Sequence, residues 1–288
     1  MKPFLFLLLL LPCSVLAQEP DSTSALYGMR QAERNFAKAS VMIGRNAAFA
    51  EYFAEKSVLF TDKWITNGKQ YSKEGKPSPI VLKWEPEFMD IANSRDFGIS
   101  TGPWEVQEYR PNTPPLFTGY FLTVWKKQSN GEWKVILDGG STTPIAPGPK
   151  HKFTFPSGAD KGIPSTVVMN TDQLKKELLE KDNQFQAEWK KNISACASFL
   201  APDARIQISG HLPAIKADSI ETLINKLDKS LIWQSNGAGA ATSGDLGFTY
   251  GLIVRPDSSQ KTNGHYVRIW KKRPGSDWKI ILEMINPD

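Results

Sequence analysis

Gly119 to Gly140 reads GYFLTVWKKQSNGEWKVILDGG, and the reading of this stretch decides the fold. Two runs rich in β-branched and aromatic residues flank a polar turn at Asn130-Gly131, the pattern of a β-hairpin. A second copy stands at Gly264 to Ile285, GHYVRIWKKRPGSDWKIILEMI. Trp125 answers to Trp270, Lys126-Lys127 to Lys271-Lys272, Trp133 to Trp278 and Asp138 to Glu283, all at an offset of 145. Upstream, Phe36 matches Phe185, Trp84 matches Trp233, and RDFGISTG at Arg95 to Gly102 matches GDLGFTYG at Gly244 to Gly251, all at 149. A single strand connection, four residues shorter in the second copy, accounts for the change of offset. Two unrelated domains would not hold register over such a length, so the chain reads as one domain duplicated.

Each copy opens on helical periodicity: Leu26, Met29, Ala32, Phe36 and Ala39 in the first, and Leu174, Leu178, Lys181, Phe185 and Trp189 in the second. Further helices are expected over Asn46 to Ala54 and Ile193 to Leu200, with short strands at Ser57 to Thr61 and Arg205 to Ser209. Asp218 with Glu221 three residues on predicts a capping box opening a helix over Ser219 to Leu227. Its counterpart, Lys69 to Pro79, is richer in Gly and Pro and predicts a poorer helix. Four strand-like runs close each copy. Helices followed by antiparallel strands give an α+β fold, with helices on one face of a curved sheet. The domains are placed at 22–140 and 171–288. Ser141 to Asn170 lies between them with five prolines and reads as an extended linker whose Phe153 and Phe155 can dock on a domain.

Met1 to Ala17 has the parts of a secretory leader: Lys2, an apolar run from Phe4 to Leu11, and Val15-Leu16-Ala17 before Gln18. The run is too short for a comfortable membrane span, and Pro12 beside Cys13 fits a lipoprotein site badly. The expectation is a periplasmic or secreted protein, free of the membrane once cleaved. Basic residues number 35 against 30 acidic; losing Lys2 with the leader lowers the net charge from +5 to +4. The charges are mixed, with no basic stripe interleaved with aromatics, so no nucleic-acid groove is expected. Cys196 is then the only cysteine, which excludes an internal disulfide framework, and its apolar neighbours mark it as a buried structural thiol. Three histidines without paired Cys/His spacing predict no metal site. No phosphate loop or serine triad is present, and no cofactor is expected.

The order helix, helix, strand, short helix, followed by Trp84 or Trp233, then RDFGISTG or GDLGFTYG, then the two W-K-K hairpins, resembles the nuclear transport factor 2-like superfamily, specifically its SnoaL-like branch of the domain-of-unknown-function 4440 type. The resemblance covers nearly all of the mature chain, twice. It implies two tandem cone-shaped domains, in each of which a strongly bent antiparallel sheet wraps the helices and leaves a pocket at the open end. Members of that superfamily include isomerases, dehydratases, polyketide cyclases and non-catalytic binding or assembly modules, so the fold does not name an activity.

With one bulged residue at Gly131, the hairpin register predicts Trp125 opposite Val135, Val124 opposite Ile136 and Leu122 opposite Asp138. Tyr120, Leu122, Val124, Ile136 and Asp138 then share a face, and Asp138 lies diagonally from Tyr120. The second copy offers His265 and Glu283 in the same relation. A carboxylate that orients a histidine or tyrosine is an acid/base arrangement, so Asp138, Tyr120, Glu283 and His265 are the catalytic candidates. Satisfied polar residues at a pocket rim are the commoner case. Leu122, Val124, Val267, Ile269 and Ile281 are the candidate ligand-binding residues of that face, with His211 at the pocket mouth. The paired tryptophans read as core or interface residues rather than sugar platforms. Two functions fit: binding of a small, largely apolar ligand in a cone pocket, or an isomerase or lyase moving a proton next to a carbonyl. The two domains are expected to pair through their sheets within a monomer, with Trp125 and Trp270 at or near the contact.

Overall fold

The computed structural model describes residues 19–61, 65–110, 113–144, 152–161, 163–191, 193–256 and 264–287. The expected leader at residues 1–17 and the linker residues 145–151 and 162 lie outside the described residues.

The N-terminal half runs α1 (Ala25–Ile43), α2 (Arg45–Tyr52), β1 (Phe53–Phe60), β2 (Ile65–Asn67), α3 (Gly68–Glu74), β3 (Ile80–Trp84), β4 (Phe88–Ile91), β5 (Phe97–Glu108), β6 (Phe117–Lys127) and β7 (Trp133–Thr143). The C-terminal half runs α4 (Thr171–Lys191), a 3-10 helix (Ile193–Phe199), β8 (Leu200–Ile208), α5 (Ala217–Ile224), β9 (Ile232–Ala240), β10 (Leu246–Val254), β11 (Gly264–Lys272) and β12 (Trp278–Pro287). The first sheet is ordered β2-β1-β7-β6-β5-β3 with β4 also on β5, and the second β8-β12-β11-β10-β9. β1 runs parallel to β7 and β8 parallel to β12, while the other pairs are antiparallel. The architecture is α+β, with two mixed sheets.

Local chemistry sets the helix limits. Ser24 caps α1 by accepting from the Tyr27 amide at 3.1 Å, and Gly44, at φ 86°, ends it. The buried stripe of α1 includes Leu26, Met29, Glu33, Phe36 and Ser40, and that of α4 Leu174, Leu178, Asp182, Phe185 and Trp189. A carboxylate therefore sits mid-stripe in each helix. α5 starts earlier than Asp218 and Glu221 predict: the Lys216 amide donates to Ser219 Oγ at 3.2 Å, closing the first turn two residues upstream.

The turn of the β6–β7 hairpin has Gly131 at φ 87° and the Gln128 amide bonded to the Glu132 carbonyl at 2.7 Å. Trp125 faces Val135 across the ladder, as the turn chemistry predicts. Beyond that pair the register departs from expectation. Val124 pairs with Leu137, Thr123 with Asp138, Leu122 with Gly139 and Tyr120 with Ser141. Ile136 is an extra residue, a β-bulge, and a bulge turns every later side chain to the opposite face. The β11–β12 hairpin repeats this: Trp270 pairs with Ile280 but Ile269 with Leu282, leaving Ile281 bulged, so that Arg268 rather than Val267 shares a face with Glu283.

Three cores result. One lies between α1 and the first sheet and contains Phe36, Phe49, Phe53, Trp125 and Val135, with Phe153 and Phe155 also buried in it. A second lies between α4, α5 and the second sheet, around Phe185, Trp189, Trp233 and Trp270. The third is sheet against sheet: Phe97, Ile99, Leu122, Val124 and Leu137 meet Phe248, Val267, Ile269, Leu282 and Met284. Phe97 and Phe248 stack there with ring centroids 6.3 Å apart. At one edge of this contact Lys271 lies 3.3 Å from Asp90 and 3.4 Å from Asp245. The layers run helix, sheet, sheet, helix. Trp125 and Trp270, expected at the sheet-to-sheet contact, point the other way, into the helix-covered interiors.

Candidate functional site

A cavity of about 740 Å³ opens at the edge of the sheet-to-sheet contact, where β3, β5 and β6 of the N-terminal half meet β8 and the loop after it. One wall carries Trp84, Pro86, Pro103, Trp104 and Tyr120, the other Leu212, Pro213 and Ile215. It is therefore a groove between the halves rather than the interior of either. Gly119 makes its floor flat. A Cβ there would stand 1.9 Å from the Ser141 carbonyl oxygen and 2.4 Å from the Trp104 ring, so only glycine lets the indole lie against the strand.

The polar end of the groove is built around Gln207 of β8. Thr101 donates its one hydroxyl proton to the Phe121 carbonyl at 2.5 Å. Its oxygen can then only accept, and it does so from Gln207 Nε2 at 2.6 Å. That bond fixes which end of the amide is nitrogen. Gln207 is 2% exposed, lines the groove, and its Oε1 accepts no hydrogen bond among the described residues. Beside it, Arg205 Nη1 lies 3.9 Å from Glu87 and the guanidinium stacks 4.3 Å above the Phe88 ring. The Tyr120 hydroxyl bonds the Glu87 side chain, and burial, reinforced by the Glu87 charge, pushes the phenol up to about 12. Tyr120 is thus a protonated donor already directed at Glu87. The remaining acids of the lining also face cations: Glu85 is 2.6 Å from Arg34, and Glu105 4.0 Å from Lys83.

The two helix-covered interiors hold a second constellation, in two versions. In the N-terminal half, Glu33 of α1 is fully buried and accepts from Trp84 Nε1 at 2.6 Å, Trp125 Nε1 at 2.7 Å and the Ser100 hydroxyl. Burial outweighs these bonds and raises its carboxyl. Asp138 accepts from Thr123 Oγ1 at 2.6 Å, and burial, with the Glu33 charge adding to it, pushes it up to about 7. In the C-terminal half a cation stands where Thr123 does. Arg268, fully buried, reaches Asp182 and Glu283 at 2.7 Å each. Burial alone would raise Asp182, but Arg268 and the hydroxyls of Ser235 and Tyr266 outweigh it and hold the carboxyl below its usual range. Glu283 accepts from Arg268 Nε, and burial still raises its carboxyl.

The sequence candidates are dispersed among these places. Tyr120 lines the groove, while Asp138 lies on the opposite face of its sheet with Thr123; the Ile136 bulge separates the expected pair. His265 and Glu283 are parted in the same way. His265 stacks on Phe60 of the other half at 4.8 Å and bonds Asn286 at 2.7 Å, whereas Glu283 faces inward to Arg268. Leu122, Val124, Val267, Ile269 and Ile281 fill the sheet-to-sheet core and are at most 3% exposed, so they hold the halves together. His211 lines a smaller cleft of about 170 Å³ with Asp228 and Arg255. Among the described residues no group of three His, Cys, Asp or Glu side chains is placed to hold a metal.

Glu33, Asp182, Arg268, Gln207 and Arg205 were not singled out from the sequence. The offset of 149 that aligns Phe36 with Phe185 also carries Glu33 onto Asp182 and Ser100 onto Thr249, and the offset of 145 carries Thr123 onto Arg268. Applying the repeat to polar as well as apolar positions finds the two helix carboxylates, Ser100 and Thr249, and Thr123 and Arg268, but not Ser235 or Tyr266, which align with Pro86 and Phe121. Nothing comparable marks Gln207, whose role depends on the docking of two sheets.

No protein-family model and no curated protein matches the chain. Among solved structures, a protein of unknown function with a cystatin-like fold from Nostoc punctiforme is 17% identical over 39% of this chain and 90% of its own, with a TM-score of 0.32. A nuclear transport factor 2-like protein of unknown function from Shewanella oneidensis is 19% identical over 40% of this chain and 97% of its own, at 0.31. A nuclear transport factor 2-like superfamily protein from Salmonella enterica is 15% identical over 43% and 94%, at 0.34. Likenesses of this size say nothing of ligand or chemistry.

Proposed function

We propose that the protein is an exported, monomeric binding module, built from two copies of one domain, that holds a small, largely apolar molecule between its halves. The observation that carries this reading is the groove itself. Its volume of about 740 Å³ falls in the range, roughly 300–1,000 Å³, of small-molecule clefts, and it joins an aromatic and proline-rich wall to a few convergent polar groups. Export rests on the pattern of Met1 to Ala17. The test is a screen of uncharged ring compounds by thermal shift, followed by Trp104→Ala. Ligands that stabilise the native protein should lose at least about fivefold in affinity when the indole is removed, since truncating an aromatic hot spot costs more than about 1 kcal/mol. Hits indifferent to Trp104→Ala would place binding elsewhere.

A second reading, proton transfer next to a carbonyl, is favoured by one observation: Asp138 is a buried carboxyl pushed up to about 7, suited to act as a base near neutrality. Neither Tyr120 nor His265 reaches it, so Thr123 would be its only positioning partner from the hairpin. Loss of turnover in Asp138→Asn with groove binding intact would favour this reading over the first.

A further inference from the structure

We infer that the molecule held in the groove is uncharged, with a flat ring and one hydroxyl or N–H donor, and that Gln207 Oε1 is the acceptor that selects it. This deepens the binding reading above and rests on it. The amide cannot turn to put its nitrogen where Oε1 stands, because one Nε2 hydrogen is held by Thr101, whose own proton goes to the Phe121 carbonyl. A buried acceptor without a donor is costly, and a ligand that supplies one recovers that cost on binding, whereas a ligand of the same shape without a donor does not. Tyr120 does not supply the donor itself, since its hydroxyl is directed at Glu87. Charge balance fixes the second property. Glu85, Glu87 and Glu105 each face Arg34, Arg205 or Lys83, so the lining offers no uncompensated charge to a charged ligand. The flat seat of Trp104 against Gly119 gives a ring a surface to stack on.

The test compares 2-naphthol with 2-methoxynaphthalene, one ring system with and without the donor, by NMR titration of the full-length mature protein. In the native protein 2-naphthol should bind at least about tenfold more tightly than its ether. In Gln207→Met, which keeps the side-chain length without the acceptor, the ratio should fall to near one. Equal affinity of the two probes in the native protein overturns the donor inference and leaves the binding reading standing. A preference that survives Gln207→Met also overturns it, because another group must then be the acceptor. Tighter binding of 2-naphthoate than of 2-naphthol overturns the claim that the ligand is uncharged. Failure of both neutral probes to bind, or binding unaffected by Trp104→Ala, removes the groove reading itself. The native comparison decides the question even where Gln207→Met does not fold.

Discussion

Replacing Arg268 by methionine should destabilise the protein strongly, and by an amount that grows with pH. The guanidinium is fully buried and holds two carboxylates, Asp182 and Glu283, that are 0% and 1% exposed, each at 2.7 Å. It also lies 3.9 Å from the Phe185 ring centroid and 4.2 Å from that of Tyr266. Methionine fills most of the apolar stem, so little cavity cost is added. What is lost is the cation. Removing one partner of a buried pair commonly costs about 3–5 kcal/mol, a large share of the roughly 5–15 kcal/mol by which a domain is stable. The pH dependence follows from the two directions of shift. In the native protein Asp182 titrates below its usual range, so the stability it contributes is present above the unfolded value, about 3.9, and is lost as pH falls through the folded one. Without Arg268 both carboxyls are raised by burial, and their protonated forms are favoured in the fold. The variant then loses stability as pH rises from about 4 towards neutrality, where both unfolded carboxyls are ionised. Urea unfolding at pH 5.5 and pH 8, followed by far-UV circular dichroism and tryptophan fluorescence, measures both effects. A loss under about 1 kcal/mol at pH 8, or the same loss at both pH values, would refute the account of Arg268 as the compensating charge.

Two further outcomes follow from buried groups. Asp138→Asn should stabilise the protein at pH 8 and change little at pH 4. Asp138 titrates near 7 in the fold, so the penalty for ionising it builds between about pH 4 and 7 and is complete above that, with a ceiling of about 4 kcal/mol. Thermal melts at the two pH values check this, and a variant less stable than the native protein at pH 8 contradicts it. The Cys196 thiol, buried and pushed up to about 12 by that burial, should resist a thiol-reactive disulfide reagent at pH 8 until urea is added. Stoichiometric labelling of the native protein would contradict that.

The elements that could be read from the sequence were those whose signal is local. The stripe of α1, the left-handed Gly131 and the pairing of Trp125 with Val135 each follow from periodicity or turn chemistry within a few residues. The bulges at Ile136 and Ile281 do not. An isoleucine in VIL or IIL looks the same bulged or regular, since both flanking faces are apolar and either register buries them. That single ambiguity moved Asp138 and Glu283 from the sheet-to-sheet face to the interiors, and it separated them from Tyr120 and His265. The groove was illegible for a different reason. Its walls come from segments more than a hundred residues apart, Trp104 on one side and Leu212 on the other, and no local pattern records how the two sheets dock.

The two interiors show what the bulge achieves and where the halves part. In each, it brings a β7 or β12 carboxylate into the face that already holds a helix carboxylate and a β6 or β11 side chain. With arginine at that last position the charges close on one another: Asp182, Arg268 and Glu283 form a buried ion network. With threonine there, Asp138 receives one neutral hydrogen bond and Glu33 receives three, from groups that cannot offset a charge. Asp138, pushed up to about 7 by burial, can change charge near neutral pH, whereas Arg268 holds Asp182 below its usual range. The proposed proton-transfer reading accordingly puts its base in the N-terminal interior, at Asp138. Ligand selection in the groove depends instead on Gln207, whose amide does not titrate, so groove affinity should be flat across the pH range in which Asp138 changes charge.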